Sequence, residues 1–176
     1  MISKKISAAL MAILFLTCMI QHQMVFAGST EKNNIPKERI ISSSTQYYDD
    51  GSYTVIELSI IDNSDDSLFT RDTHSITGSR TATHYDSSQN KLYALKVYGT
   101  FLYNYSTVSC SGRSYQTYIY DNAWTVENVT TSAAGSGTTK ASATASGTAK
   151  KHLLGITVQT ASISVTVYCD KNGNLS

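Results

Sequence analysis

The chain reads as an all-β protein: an antiparallel two-layer sandwich, immunoglobulin-like, with a small closed β-barrel as the alternative. Three observations predict this. Apolar and polar residues alternate with period two in segment after segment, most cleanly over Leu92 to Tyr103 and Ile163 to Cys169. Turn-forming pairs such as Asp50-Gly51, Asp121-Asn122 and Asn172-Gly173 punctuate these segments. Twelve tyrosines suit half-buried pleated surfaces, and beyond the amino terminus no window keeps a helical period with start and stop signals.

The first element stands apart from that fold. Lys4 and Lys5 precede an apolar run from Ile6 to Ile20, then polar Gln21 to Gln23, then Val25-Phe26-Ala27. That order is a secretory signal over residues 1–27, cleaved after Ala27, and the run is too short for a comfortable membrane span. The expected location is therefore extracellular, with no stable transmembrane segment after cleavage. Cys18 raises a lipoprotein reading, which Thr17 before it and Met19-Ile20 after it disfavour. Residues 28–37 are polar, hold the only proline (Pro36) and are expected to form a flexible leader. Residues 38–176 then make a single β-domain.

Charge excludes some partners. The chain has 14 basic and 13 acidic residues, and loss of Lys4 and Lys5 tips it to a slight acidic excess. With no basic run, it offers no footprint for nucleic acid and no polybasic patch for lipid.

The strands follow in order. Tyr47 to Tyr53 reads as a hairpin turn around Asp50-Gly51, and Thr54, Ile56, Leu58 and Ile60 line one face of the next strand. Asp62 to Ser67 is a polar loop, followed by two weaker strands, Phe69 to Arg71 and Ile76 to Tyr85. In Leu92 to Tyr103, Tyr93, Leu95, Val97, Phe101 and Tyr103 share one parity and Lys96, Tyr98 and Thr100 the other. Gly99 interrupts the inner row, as at a bulge or where another backbone comes close. Two further strands, Ser114 to Tyr120 and Ala123 to Val129, are aromatic-rich. Thr139 to Lys150 alternates Ala141, Ala143, Ala145, Gly147 and Ala149 with polar residues and reads as an edge hairpin of small side chains. On the last strand Ile163, Val165, Val167 and Cys169 share a parity. One core is expected, lined by Leu95, Val97, Phe101, Ile163, Val165 and Val167, with Trp124 buried against them.

With Cys18 gone, Cys110 and Cys169 remain, and in an exported protein they are expected to pair. The bridge would close about 60 residues and contribute about 4 kcal/mol through loop-closure entropy.

The second half of the chain carries V-Y-G-T-F-L-Y-N (Val97 to Asn104), Cys110, a strand around Trp124, K-K-H-L-L-G-I-T-V-Q-T (Lys150 to Thr160) and the ending C-D-K-N-G-N-L-S (Cys169 to Ser176). It resembles a group of small secreted β-rich proteins of Gram-positive, clostridia-like bacteria. They share a paired Cys, a Trp between the two, and a C-x-x-N-G-x-L-S terminus. The resemblance implies export and a β-domain; it carries over no functional residue.

Candidate chemistry is thin. Asp62 to Ser67 has clustered oxygens, but an EF-hand loop would need Gly and Glu where Ser67 and Thr73 stand. The histidines left after cleavage, His74, His84 and His152, are scattered, so no metal site or cofactor is expected. Serines are too abundant for any Ser near His84 and Asp86 to mark a triad, and there is no G-x-S-x-G turn. Glu57 and Glu127 are strand-borne carboxylates of the kind a glycosidase pairs, yet both fall on outer faces. Asn104-Tyr105-Ser106 and Asn128-Val129-Thr130 match glycosylation acceptors, which in a bacterial chain are strand and turn residues. Thr130 to Lys151 alternates as pore-forming hairpins do, but Ala and Gly are too small for a lipid-facing row.

What remains is a row of outer tyrosines, Tyr98, Tyr118, Tyr120 and Tyr168, as a candidate binding face for a glycan or a protein at the cell surface. The expected role is non-catalytic extracellular binding or surface association. The alternative is a secreted effector, toxin or antimicrobial, acting on membranes.

Overall fold

The computed structural model describes residues 37–62 and 73–176. The signal, nearly all of the leader, most of the Asp62 to Ser67 loop and the Phe69 to Arg71 strand lie outside the described residues. Eight strands form: β1 (Lys37–Tyr47), β2 (Tyr53–Asp62), β3 (His74–Tyr85), β4 (Lys91–Tyr103), β5 (Val108–Ile119), β6 (Trp124–Ala134), β7 (Lys140–Leu153) and β8 (Ile156–Asp170). They make two antiparallel sheets, ordered β1-β2-β3-β4-β5 and β6-β7-β8. The architecture is the expected sandwich and not a closed barrel. Within each sheet every strand pairs with its chain neighbours, so the wiring is two meanders, simpler than the Greek-key order of immunoglobulin domains.

Hydrogen-bond pairing carries several strands past the reach of their apolar alternation. β5 begins opposite Tyr103 at Val108 and passes a bulge where β4 shifts between Thr100 and Phe101. β6 continues to Ala134 across a bulge between Glu127 and Thr130, where Asn128 takes a positive φ of 53°. The Tyr48 to Ser52 turn closes as anticipated, with Gly51 N–H donating to the Tyr48 carbonyl at 3.0 Å.

The two sheets fill their common core unequally. Leu95, Val97 and Phe101 of β4 are fully buried, as are Val167 and Cys169 of β8. Across from them β7 supplies Ala141, Ala143 and Ala145. This corrects the edge-hairpin reading: β7 is the central strand of its sheet, and its small residues leave room for the large side chains of β4. The space is tight enough to exclude even a methyl group. A Cβ on Gly99 would lie 2.7 Å from the Phe101 ring and 3.0 Å from the Ala143 Cβ. Gly99 therefore marks a close approach of side chains, and the bulge sits one residue further on.

Trp124 is buried, but not where it was expected. It packs with Leu92, Tyr93 and Ala149 in a second cluster, and the partly buried Ile163 touches both clusters. Register explains this. Trp124 pairs with Lys151 at the start of β6, level with the Tyr93 end of β4 and away from Phe101. Its Nε1 is the one buried side-chain polar atom without a partner among the described residues.

The expected disulfide is absent: Cys110 and Cys169 are free thiols. Both face the main core, yet Cys110 Sγ turns to the Gly112 carbonyl (3.3 Å) and Cys169 Sγ to that of Asp170 (3.4 Å). Shared parity put both on inner faces but could not fix their positions along two different sheets. Burial pushes the Cys169 thiol up to about 12 and the Cys110 thiol upward as well.

The terminal C-D-K-N-G-N-L-S has a packing role. Asp170 Oδ1 accepts the N–H groups of Asn172 (2.8 Å) and Asn174 (2.9 Å). Gly173, at φ 83°, passes beneath the Tyr103 ring, where a Cβ would come within 2.5 Å. Ser176 and Tyr168 exchange backbone bonds of 2.8 and 3.0 Å, so the tail covers part of the free edge of β8. Leu175 fills the space a side chain at Gly78 would take.

Candidate cleft at the open side of the sandwich

The structure splits the four tyrosines proposed as one face. Tyr98, Tyr118 and Tyr120 lie together on the outer side of the five-stranded sheet. There Tyr118 and Tyr120 stack at 6.3 Å, and Tyr98 donates to Gln116 Oε1 at 3.1 Å. Tyr168 lies on the outer side of the other sheet, beneath the Lys140 ammonium at 4.4 Å. Period two separates inner from outer faces but says nothing of which sheet a strand joins.

The outer face of the larger sheet also holds an ion pair. Lys96, which shares the parity of Tyr98, is only 7 % exposed. Its Nζ donates to Glu38 Oε1 at 2.7 Å and Oε2 at 2.6 Å, and Ser79 Oγ donates to the same Oε1 at 2.6 Å. Burial disfavours both charges, but the mutual hydrogen bonds and attraction win, lowering the Glu38 pKa and raising that of Lys96. Lys96 sits 4.8 Å from the Tyr98 ring, so this tyrosine shields the pair.

The remaining candidates fall apart as chemical groups. Glu127 is held by Lys150 (2.7 Å) on the outer side of the three-stranded sheet, while Glu57 is on the outer side of the other. Asp86 organises its own turn, accepting from Ser88 N, Asn90 N and Asn90 Nδ2, and does not orient His84. Asn104 Oδ1 likewise closes the β4–β5 turn. Among the described residues no three His, Cys, Asp or Glu side chains converge on a metal site. The Ala row of the hairpin weighed for pore formation is buried in the core.

A site that the sequence reading did not assemble lies where the sandwich opens. On one side the sheets are joined by the β5–β6 connection and a bridge between Val108 and Thr138. On the other, the inner face of β1, β2 and β3 runs out past β8 and leaves a cleft of about 360 Å³. Its floor and end carry Tyr48, Asp50, Ser52, Thr54 and His84; its opposite wall is β8, with Gln159, Ser162 and Ser164. The volume falls at the small end of the range for small-molecule sites.

His84 is the centre of this cleft. Its ring stacks on buried Tyr93 at 5.2 Å and meets the edge of Tyr48 at 5.6 Å. Thr54 Oγ1 lies 3.0 Å from His84 Nδ1 and 3.1 Å from the Tyr48 hydroxyl. Burial lowers the His84 pKa, with the Asp50 charge acting partly against it, which favours the neutral imidazole. One self-consistent chain runs from the Tyr48 hydroxyl to Thr54 and on to Nδ1, which leaves Nε2–H as the ring's free donor. Tyr93, pushed up to about 12 by burial, stays a neutral phenol.

The serine that a triad would need is engaged elsewhere. Ser52 Oγ donates to Asp50 Oδ1 at 2.6 Å, and Ser52 N–H donates to the same oxygen at 2.9 Å. Those bonds hold the Asp50 carboxyl below its usual range. Outside the cleft lining, Arg80 Nη1 donates from β3 to the Thr166 carbonyl on the free edge of β8 at 3.2 Å. By strand alternation the backbone groups of Ser164 and Ser162 point from that same edge.

Sequence spacing hid this site because it depends on pairing. Thr54 and His84 are cross-strand partners, as are His84 and Tyr93. The usable signal was a polar or titratable residue ending each of three inner rows. No family model, curated protein or solved structure matches the chain.

Proposed function

We propose that the chain is an exported, non-catalytic binding domain whose cleft takes a neutral saccharide of one or two rings. The observation that carries this reading is the lining. Hydroxyls, carboxamides and an aromatic edge converge on a cleft of about 360 Å³, with no Lys or Arg among its lining residues. A sugar needs paired donors and acceptors around an apolar ring face. Tyr48 offers the ring, His84 Nε2 a donor, Asp50 Oδ2 an acceptor, and Gln46 and Gln159 both kinds. A binding role is favoured over hydrolysis because, among the described residues, the hydroxyl on the Asp50 carboxylate is that of Ser52, which donates to it, while His84 Nδ1 is engaged by Thr54. Export rests on the amino-terminal signal in the sequence.

The test is titration calorimetry of the purified domain against a panel of neutral mono- and disaccharides. Tyr48→Ala and Gln159→Ala are expected to weaken the best ligand about tenfold each, the worth of one good hydrogen bond or ring contact. Tyr98→Ala, on the far face, should leave it unchanged. Equal affinity in all three variants, or no saccharide bound at millimolar concentration, would overturn the assignment.

A further inference from the structure

The β7–β8 hairpin runs past the sandwich and ends in a bare apolar tip. Leu154 (φ 50°) and Gly155 (φ 81°) supply the two positive-φ positions of a tight two-residue turn. Around it Leu153, Leu154, Ile156 and Val158 are 63, 96, 69 and 55 % exposed. Single exposed aliphatic residues are ordinary; three crowded on one turn, with a fourth two residues along β8, are not, and they mark a contact surface.

We propose that this tip inserts into the interfacial layer of an anionic phospholipid bilayer. Charge selects that partner. From Lys150 to Tyr168 the hairpin carries no acidic residue, while Lys150, Lys151 and His152 stand directly behind the apolar residues. Lys150 is neutralised by Glu127 at 2.7 Å. Lys151 makes no ion pair among the described residues; its Nζ lies 6.0 Å from the Trp124 ring centroid, and its half-exposed ammonium is the one of the two lysines left to meet a phosphate.

Depth agrees with charge. Lys151 lies three residues behind Leu154, about 10 Å at the rise of an extended strand. Interfacial segments bury their apolar groups by about 5–10 Å, which would bring Lys151 to the headgroups as Leu153, Leu154 and Ile156 reach the acyl boundary. The backbone is prepared for that medium, since Leu153 pairs with Ile156 and His152 with Thr157 up to the turn. The polar side chain nearest the tip is satisfied too: Thr157 Oγ1 lies 3.3 Å from His152 Nδ1, whose Nε2 in turn meets Thr125 Oγ1 at 3.2 Å.

The test is vesicle flotation of the exported chain with phosphatidylcholine alone and with an equal mixture of phosphatidylcholine and phosphatidylglycerol. The chain should float with the mixed vesicles, less with the neutral ones, and less again as salt is raised. Leu153→Ser/Leu154→Ser should lower binding about tenfold or more, because the contact depends on buried apolar area. Lys151→Gln should weaken binding several-fold on the mixed vesicles alone. Unchanged melting curves show that both variants fold. The proposal is overturned if the chain ignores both vesicles, or if the double variant floats as well as the parent. It is overturned equally if the lipid-free chain is a dimer that the double variant converts to monomer, since a second copy then covers the tip. None of these outcomes involves the cleft residues.

Discussion

The two ends of the β7–β8 hairpin invert the usual use of apolar residues. At one end Ala141, Ala143 and Ala145 are sealed in the core; at the other Leu153, Leu154, Ile156 and Val158 are in solvent. β7 thus buries its small side chains, while the tip that joins it to β8 exposes large ones. What differs is the partner. Sheets stack about 10 Å apart, and β4 already brings Leu95, Val97 and Phe101 into that gap, so β7 must contribute little volume. Past the rim of the five-stranded sheet no strand among the described residues faces the hairpin to set a size. Hydrophobicity marks a residue as able to be buried, and the opposing surface decides whether it is.

The largest test of this contrast is at the buried end. Phe101→Ala is expected to cost about 3–5 kcal/mol, at the upper part of that range because the alanines opposite cannot move in to fill the void. Urea denaturation should show the midpoint falling with little change in slope. A cost below about 1 kcal/mol would mean that the two sheets collapse together, and that the small row is not fitted to the ring.

Next in size is the converse change. Ala143→Leu should destabilise by about 1–3 kcal/mol, since its Cβ already stands 3.0 Å from the place a Gly99 side chain would occupy. In the Phe101→Ala background the same substitution should cost less, because the added volume meets the new cavity. Additive costs in the double variant would break the complementarity.

How far the fold could be read from sequence follows from the same point. Period two placed Leu95, Val97, Phe101, Val165 and Val167 inward, and all of them are buried. It also placed the Ala141 to Ala149 row, but assigned that strand to an edge because small residues look like weak core. Trp124 and the two cysteines were correctly inward and wrongly grouped, since parity fixes a face and leaves the position along the strand open. The cleft was the least legible part. His84 and Thr54 meet through the pairing of β2 with β3, which no local spacing encodes, and Tyr48 joins them from the β1–β2 turn, while outer tyrosines advertise themselves on any strand.

A smaller effect is expected on the outer face, where Lys96 is buried by side chains and not by a second sheet. Glu38→Gln should cost about 1–2 kcal/mol at neutral pH, below the loss for a fully buried pair because the Glu38 side chain is 35 % exposed. The sign follows from the lowered Glu38 pKa. Its contribution is complete above the ordinary value of 4.5 and is lost as pH falls through the lower folded value. Parent and variant stabilities should therefore converge in acid, because protonated Glu38 leaves Lys96 as unpaired as Gln does. A gap that persists undiminished at pH 2 would show that the carboxylate charge is not what holds Lys96.

The smallest effect belongs to the exposed end. Leu154→Ser removes a large apolar side chain from a position that is 96 % exposed, so no contact is lost on the folded side. Serine is also no worse suited than leucine to the positive φ of 50° at this turn, so backbone strain changes little. The melting midpoint should move by no more than the equivalent of about 0.5 kcal/mol in either direction. Set beside Phe101→Ala, this is the sharpest form of the comparison, because both changes delete a large apolar group and only the surroundings differ. A loss of more than about 1 kcal/mol for Leu154→Ser would mean that the tip folds back onto the domain in solution. The apolar turn would then be part of the core, with nothing left to offer a membrane.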